Sequence, residues 1–329
     1  MKILFDTAGL DLGLEEAIEG AILSRDELGI EPTLVGNEDL IKPILEKLGD
    51  NMKILDAKDI ITNDDEPAFA IRRKKDSTIV VAFNNLNDYD AFISCGSTGA
   101  LLAGGMFIAG RISNVKRAVL PTPIPTINGN TLLIDSGANM DVDAELLVQF
   151  AKLGSVLKNV SEGIENPRVG LLNVGVEENK GNALTKEAFS KLKEADINFI
   201  GNIEARDINK HVCDVLVCDG FVGNIILKNT EGLASFIMSM INSNVIEKLS
   251  DSSKKEVFKY MAPLVNTFDY REVGGVQLLG LKTLIVKAHG ASDRNAIKNA
   301  ASSAQLMHKN KLIEKIENSF RGEIWKKKF

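Results

Sequence analysis

The chain has 329 residues, 44% of them hydrophobic, enough to fill the core of one large α/β domain or two smaller ones without disulfide staples. With 45 acidic against 39 basic residues the formal charge is -6, which excludes a broad basic face for nucleic acid. Cys95, Cys213 and Cys218, like the scattered His211, His289 and His308, lack the spacing of a metal motif, so the cysteines are expected as small buried residues in a reducing cytoplasm, with no metal or cofactor.

Along the chain, short apolar runs alternate with longer stretches of 3.6-residue periodicity. Residues 1–6 lack the basic start and cleavage site of a signal peptide and read as a first strand. Strands are expected near 2–5, 32–35, 90–94, 131–135, 168–174, 197–201, 213–218 and 283–287. Helices are expected over 14–28, 38–49, 66–86, 99–111, 143–159, 182–195, 224–248, 252–265 and 291–316. This rhythm predicts an α/β fold with a doubly wound, mostly parallel sheet, and residues 1–329 as a single domain.

Several segments depart from the rhythm. Residues 118–131 hold Pro121, Pro123 and Pro125 and cannot be a helix interior; a hinge or a surface connection is expected there. The helical pair over 233–265, joined by the polar stretch 249–255, predicts a projecting hairpin. The longest apolar stretch, 98–110, falls short of the ~20 residues that span a bilayer, so any membrane contact is peripheral. Basic residues 72–75 follow acidic residues 64–66, a pattern that complements a helix dipole on a solvated face.

Chemistry concentrates in turns that follow strands. Asn173 and Gly175 lead to Lys180, Gly181 and Asn182, and Asp219, Gly220 and Gly223 lead to Asn224. Ser97, Thr98 and Gly99 follow a third strand, and Asn139 lies in the turn after a fourth. At such places backbone N–H groups and helix N-termini favour an anion such as phosphate, although caps and plain turns use the same residue types. Lys180 supplies a compact positive charge, and Asn224 is expected to cap a helix over 225–241 while offering an amide to a substrate oxygen. His289 follows the strand at 283–287 and could line the cleft; with Ser292 and Asp293 so close in sequence it cannot form a hydrolase triad.

Taken together these stretches resemble the PlsX-type phosphate acyltransferases over nearly the whole chain. The matching stretches include Asp64 to Pro67, Thr98-Gly99-Ala100, Gly137-Ala138-Asn139, Gly170 to Gly175, Lys180-Gly181-Asn182, Cys218 to Asn224, Asp269-Tyr270, Gly274-Gly275 and His289-Gly290. The resemblance implies a fold akin to phosphotransacetylases and isopropylmalate dehydrogenases. It implies transfer of a fatty acyl group from acyl carrier protein to inorganic phosphate, with Lys180 and Asn224 associated with catalysis. A homodimer loosely attached to the inner face of the cytoplasmic membrane is also implied.

Three places depart from the family pattern. The first turn reads Asp6-Thr7-Ala8-Gly9-Leu10-Asp11, Ser97 stands where an asparagine is usual, and the hairpin tip is polar over 250–255, which predicts weak membrane attachment. Two other readings stay open: an acyl-CoA:phosphate acyltransferase of the phosphotransacetylase kind, and a non-catalytic relative that binds carrier protein.

Overall fold

In the computed structural model, which describes residues 1–267 and 274–321, the strands divide between two sheets. Asp269 and Tyr270 lie outside the described residues. The first sheet contains β1 (Lys2–Asp6), β2 (Glu31–Gly36), β3 (Lys53–Asp56), β4 (Ala91–Ser94), β10 (Val276–Gln277) and β11 (Leu284–Lys287), in the spatial order β10-β11-β4-β1-β2-β3. The second contains β5 (Pro121–Thr126), β6 (Gly129–Ile134), β7 (Arg168–Asn173), β8 (Asn198–Glu204) and β9 (Val215–Val217), in the order β5-β6-β9-β7-β8. Pairing is parallel throughout except at the edge pairs β10–β11 and β5–β6. Buried runs such as Ala91–Ser94 and Val215–Val217 are what strands covered by helices on both faces require.

Helices α1 (Leu14–Leu28), α2 (Glu38–Leu48), α3 (Pro67–Arg73), α4 (Thr78–Asn85), α5 (Thr98–Gly104), α6 (Ala144–Glu162), α7 (Ala183–Glu194), α8 (Gly220–Asn244), α9 (Asp251–Thr267), α10 (Arg294–Lys309) and α11 (Leu312–Ser319) complete the architecture. One hydrophobic cluster joins the sheets: Ile3 and Phe5 of the first share it with Ile134, Val169 and Val217 of the second and with Phe150 of α6. The α8–α9 region is different. In α8 only Gly220 and Gly223 are buried, while Leu233, Phe236, Ile237 and Met240 are exposed. Among the described residues no helix is long and apolar enough to cross a membrane.

The structure corrects several local expectations. The proline-rich segment is neither hinge nor simple connection but the edge strand β5, paired antiparallel with β6. Pro121, Pro123 and Pro125 alternate, so all three place the ring nitrogen on the side away from β6, where no ladder bond is lost. The helix expected over 66–86 is two, because the Ser77 hydroxyl donates to the Lys74 carbonyl (2.8 Å) and closes the end of α3 before α4 begins. The helix expected over 291–316 starts later, with the Asp293 side chain accepting from the Ala296 N–H, and breaks at Lys311, whose φ of 58° is left-handed. The helix expected over 99–111 continues beyond α5 only as a π turn, Gly105–Ala109. Strands β3 and β10 add short pairings to the first sheet.

Candidate active site

The carboxyl ends of β6, β9 and β7 lie side by side in the second sheet, and the turns that follow β6 and β9 meet. Asp135, after β6, is fully buried. Its carboxylate accepts from the N–H groups of Gly137 (3.2 Å), Ala138 (3.0 Å) and Asn139 (2.6 Å), and from the Asn139 side-chain amide (2.8 Å). Burial raises its pKa despite these donors. Asn139 also donates to the Ala118 carbonyl (2.9 Å), while its own carbonyl accepts from the Gly220 N–H (2.8 Å). Both hydrogens of the Asn139 amide are therefore spent on the frame.

After β9, Asp219 rather than Asn224 caps α8: its side chain accepts from the Val222 N–H (2.8 Å), and the helix begins at Gly220. Asp is the stronger cap because its carboxylate also complements the helix dipole. That carboxylate occupies the helix end, so a substrate phosphate would meet a negative charge there. Gly223 presses onto the β6 end; a Cβ at this position would stand 1.8 Å from the Asp135 carbonyl oxygen, which only glycine avoids. Freed from capping, Asn224 faces the Gly137 turn, its Oδ1 3.5 Å from where a Cβ on Gly137 would be. Its amide makes no hydrogen bond among the described residues.

The turn after β7 is held from below. Buried Asn173 donates to Asn202 Oδ1 (3.1 Å) and to the Lys180 carbonyl (3.2 Å), and its own Oδ1 accepts from the Val174 N–H (2.8 Å). Asn202 in turn donates to the Glu177 carbonyl (2.8 Å). Gly181, at φ 97°, has no room for a side chain: a Cβ would lie 2.0 Å from Thr185 Oγ1 and 2.5 Å from Asn173 Oδ1. Asn182 caps α7 by accepting from the Thr185 N–H (2.9 Å). Lys180 lies over Gly175, its Cγ 3.0 Å from where a glycine Cβ would be, and it is exposed, with no ion pair among the described residues. The geometry thus separates side chains that hold the turns (Asn139, Asn173, Asn182, Asp219) from two whose donors are unspent, Lys180 and Asn224.

Ser97, Thr98, Gly99 and His289 belong to the first sheet, at the ends of β4 and β11. Ser97 and Thr98 are half-buried at the start of α5, and Ser97 makes no side-chain cap bond. Gly99 packs against Pro67 of α3. His289 is exposed; its Nδ1 accepts from the Ala291 N–H (3.2 Å), which leaves Nε2 as the protonated nitrogen of the neutral ring. Partial desolvation, then the Lys287 and Lys228 charges, lower its pKa. Lys228 lies one turn beyond Asn224 on α8 and is ion-paired with Glu231 (2.8 Å).

Two groups at these ends escaped sequence reasoning. Buried Asp6, after β1, accepts from the Ser94 hydroxyl (2.6 Å) and the Ala8 N–H (2.9 Å), and burial raises its pKa to about 6. Lys287, the last residue of β11, donates to the Cys95 carbonyl (3.2 Å) and to the Ala288 carbonyl, and desolvation lowers its pKa. The first was visible only as part of a turn motif; the second carried no sequence signal beyond its place at a strand end. All three cysteines are buried, with the Cys95 and Cys213 thiols pushed up to about 12 and that of Cys218 raised by burial, so none is poised as a thiolate nucleophile.

Comparison with solved structures defines the fold class. A phosphotransacetylase from Streptococcus pyogenes matches with a TM-score of 0.61 over 94% of this chain and 94% of its own, at 17% identity, so the chain has a phosphotransacetylase-like α/β fold. Sequence comparison defines the family. Residues 1–315 match the family described as fatty acid synthesis protein, and the chain belongs to it. A phosphate acyltransferase of Halothermothrix orenii is 45% identical over 93% of this chain and 94% of its own length, and one of Clostridium perfringens is 44% identical over 100% and 98%.

Proposed function

We propose that this chain is an acyltransferase that moves a fatty acyl group from acyl carrier protein to inorganic phosphate. Membership of a family whose relatives are phosphate acyltransferases supports the reaction class. The observation that carries the residue assignment is that Lys180 and Asn224 keep their donors unspent at adjoining strand ends whose other polar side chains hold the frame.

At neutral pH phosphate is already an anionic nucleophile and a thiolate is a good leaving group. The site therefore needs positioning and hydrogen-bond donors more than a strong base. A phosphate oxygen attacks the thioester carbonyl carbon, the C–S bond breaks, and acyl phosphate and the carrier thiolate leave; the thiolate takes its proton from solvent. Lys180 holds the phosphate, and the Asn224 amide donates to the oxyanion that forms on the carbonyl oxygen. Asn139, Asn173, Asn182 and Asp219 serve by fixing the turns, and Gly175, Gly181, Gly220 and Gly223 by letting backbone and ligand approach.

The test is release of carrier thiol from acyl carrier protein, with and without phosphate, repeated with Lys180→Ala and Asn224→Ala. Phosphate-dependent release that both substitutions abolish is expected. Release from acyl-CoA alone would turn the reading to the phosphotransacetylase kind, and carrier binding without release would turn it to a scaffold.

The finer properties rest on other supports. A core shared by both sheets supports one functional unit over 1–329. On α8, Leu233, Phe236, Ile237 and Met240 recur at helical spacing and lie exposed, which supports a homodimer formed through this stripe. Phe236→Ser should then shift the protein toward monomer in sedimentation velocity. Exposed Ser250 and Ser252, just before and at the start of α9, support only weak peripheral contact with the inner face of the cytoplasmic membrane.

A further inference from the structure

The Lys287 ammonium stands where three strand-end turns meet. Lys287 pairs with Ser94 in the β11–β4 register, and the Ala288 N–H donates to the Ser94 carbonyl (3.0 Å). From the β1 side, the Asp11 N–H donates to the Gly290 carbonyl (2.8 Å), and the Gly9 backbone lies against Gly96 so closely that a Cβ would be 2.7 Å from the Gly96 Cα. An ammonium has three N–H donors, and Lys287 spends two of them on the Cys95 and Ala288 carbonyls. It forms no ion pair among the described residues. Desolvation opposes its protonated form, Cys95, Asp6 and Asp11 favour it, and Lys228 opposes it. Lys228 and Lys287 act together on His289 in the same sense. A half-buried ammonium with an unspent donor, two residues before a histidine, is a site that an incoming anion completes.

We propose that Lys287, with His289, recognises a substrate phosphate group at the carboxyl ends of the first sheet's strands. The inference rests on the acyltransferase reading for the source of that group: either inorganic phosphate or the phosphodiester of the carrier's pantetheine arm. Lys287 also acts as a positioning residue for the turn that carries Ser97 and Thr98, through its bond to Cys95.

Binding is measured without acyl donor, so failure of the transfer reaction leaves the result readable. Inorganic phosphate and 4′-phosphopantetheine are titrated calorimetrically against wild type, Lys287→Met and Lys287→Arg. The methionine variant should bind one of the two probes about 10- to 100-fold more weakly, the arginine variant should recover most of that loss, and the melting temperature should stay within a few degrees. Loss confined to inorganic phosphate assigns the site to the nucleophile, and loss confined to 4′-phosphopantetheine assigns it to the carrier arm. Unchanged binding of both probes overturns the proposal. Should Lys287→Met fail to fold, the wild-type lysine decides: its ammonium, followed by carbon-13 NMR, should titrate at higher pH with a probe bound, and an unmoved titration with both probes overturns the proposal.

Discussion

Asp135 at the end of β6 and Asp6 at the end of β1 occupy matching places in the two sheets. Both are buried, and burial raises the pKa of both. Their partners differ. Asp135 is clamped by three successive backbone N–H groups and an amide, donors that cannot give up a proton. Asp6 has one backbone N–H and the Ser94 hydroxyl, feels the charge of Lys287, and titrates at about 6. The second sheet has thus built a fixed frame on which Lys180 and Asn224 are displayed, whereas the first has built a network whose charge changes near neutrality.

The largest effect that bears on this contrast is loss of the frame. Asp135→Ala would leave the Gly137, Ala138 and Asn139 N–H groups without their acceptor, which should cost about 4 kcal/mol of stability in urea denaturation. A loss below about 1 kcal/mol would mean that these donors find other partners and that the frame is not built on Asp135. Next come the displayed residues. Asn224→Ala and Lys180→Ala should each lower turnover by about 10² to 10³, the usual result of removing one donor to a developing oxyanion or to the reacting anion. Melting temperatures should hardly move, since neither side chain supports the fold. A stability loss that matched the activity loss would place them in the frame and erase the distinction.

Much of this could be read from the chain because the signals are local. The strand ends, the start of α7 at Asn182 and the glycine at 181 lie within a few residues of what constrains them, whereas Gly223 answers to Asp135 in a distant strand end. The capping task expected of Asn224 falls to Asp219, because sequence shows two cap-type residues five apart and not which of them starts the helix. The β5 strand was missed because proline argues against a central strand and edge position is a tertiary fact. Division into two sheets and the meeting of Lys287 with Cys95, 192 residues apart, depend on which strands pair. No periodicity records that.

Asp6 gives the next effect, and its sign can be worked out. Its folded pKa of about 6 lies above the ordinary value of 3.8, so between those values the native state holds a proton that the unfolded state has released. Stability is then greatest below the lower value and falls as pH rises toward 6, by up to about 3 kcal/mol, with no further change above it. In Asp6→Asn this fall disappears. The difference between the two proteins in urea denaturation at pH 4 and pH 7 isolates it from the carboxylates held in ion pairs, such as Glu16 with Arg294, whose lowered pKa acts in the opposite direction. If the two proteins show the same pH slope, Asp6 is ionised across this range and carries no proton into the native state.

The smallest effect concerns Ser97, where the resembling family carries asparagine. Ser97 begins α5 without a side-chain cap bond and is half-buried on the first-sheet side. Asparagine ranks with serine as a helix cap, so Ser97→Asn should leave stability within about 0.5 kcal/mol. The longer amide adds a donor toward the cleft at most at hydrogen-bond strength, small beside the lysine contact proposed for the anion. The KM for phosphate should therefore fall by no more than about threefold, with turnover unchanged. A fall above about tenfold would show that the anion sits closer to the β4 end than to the β7 and β9 ends. The frame and the charged network would then exchange roles as the principal phosphate contact.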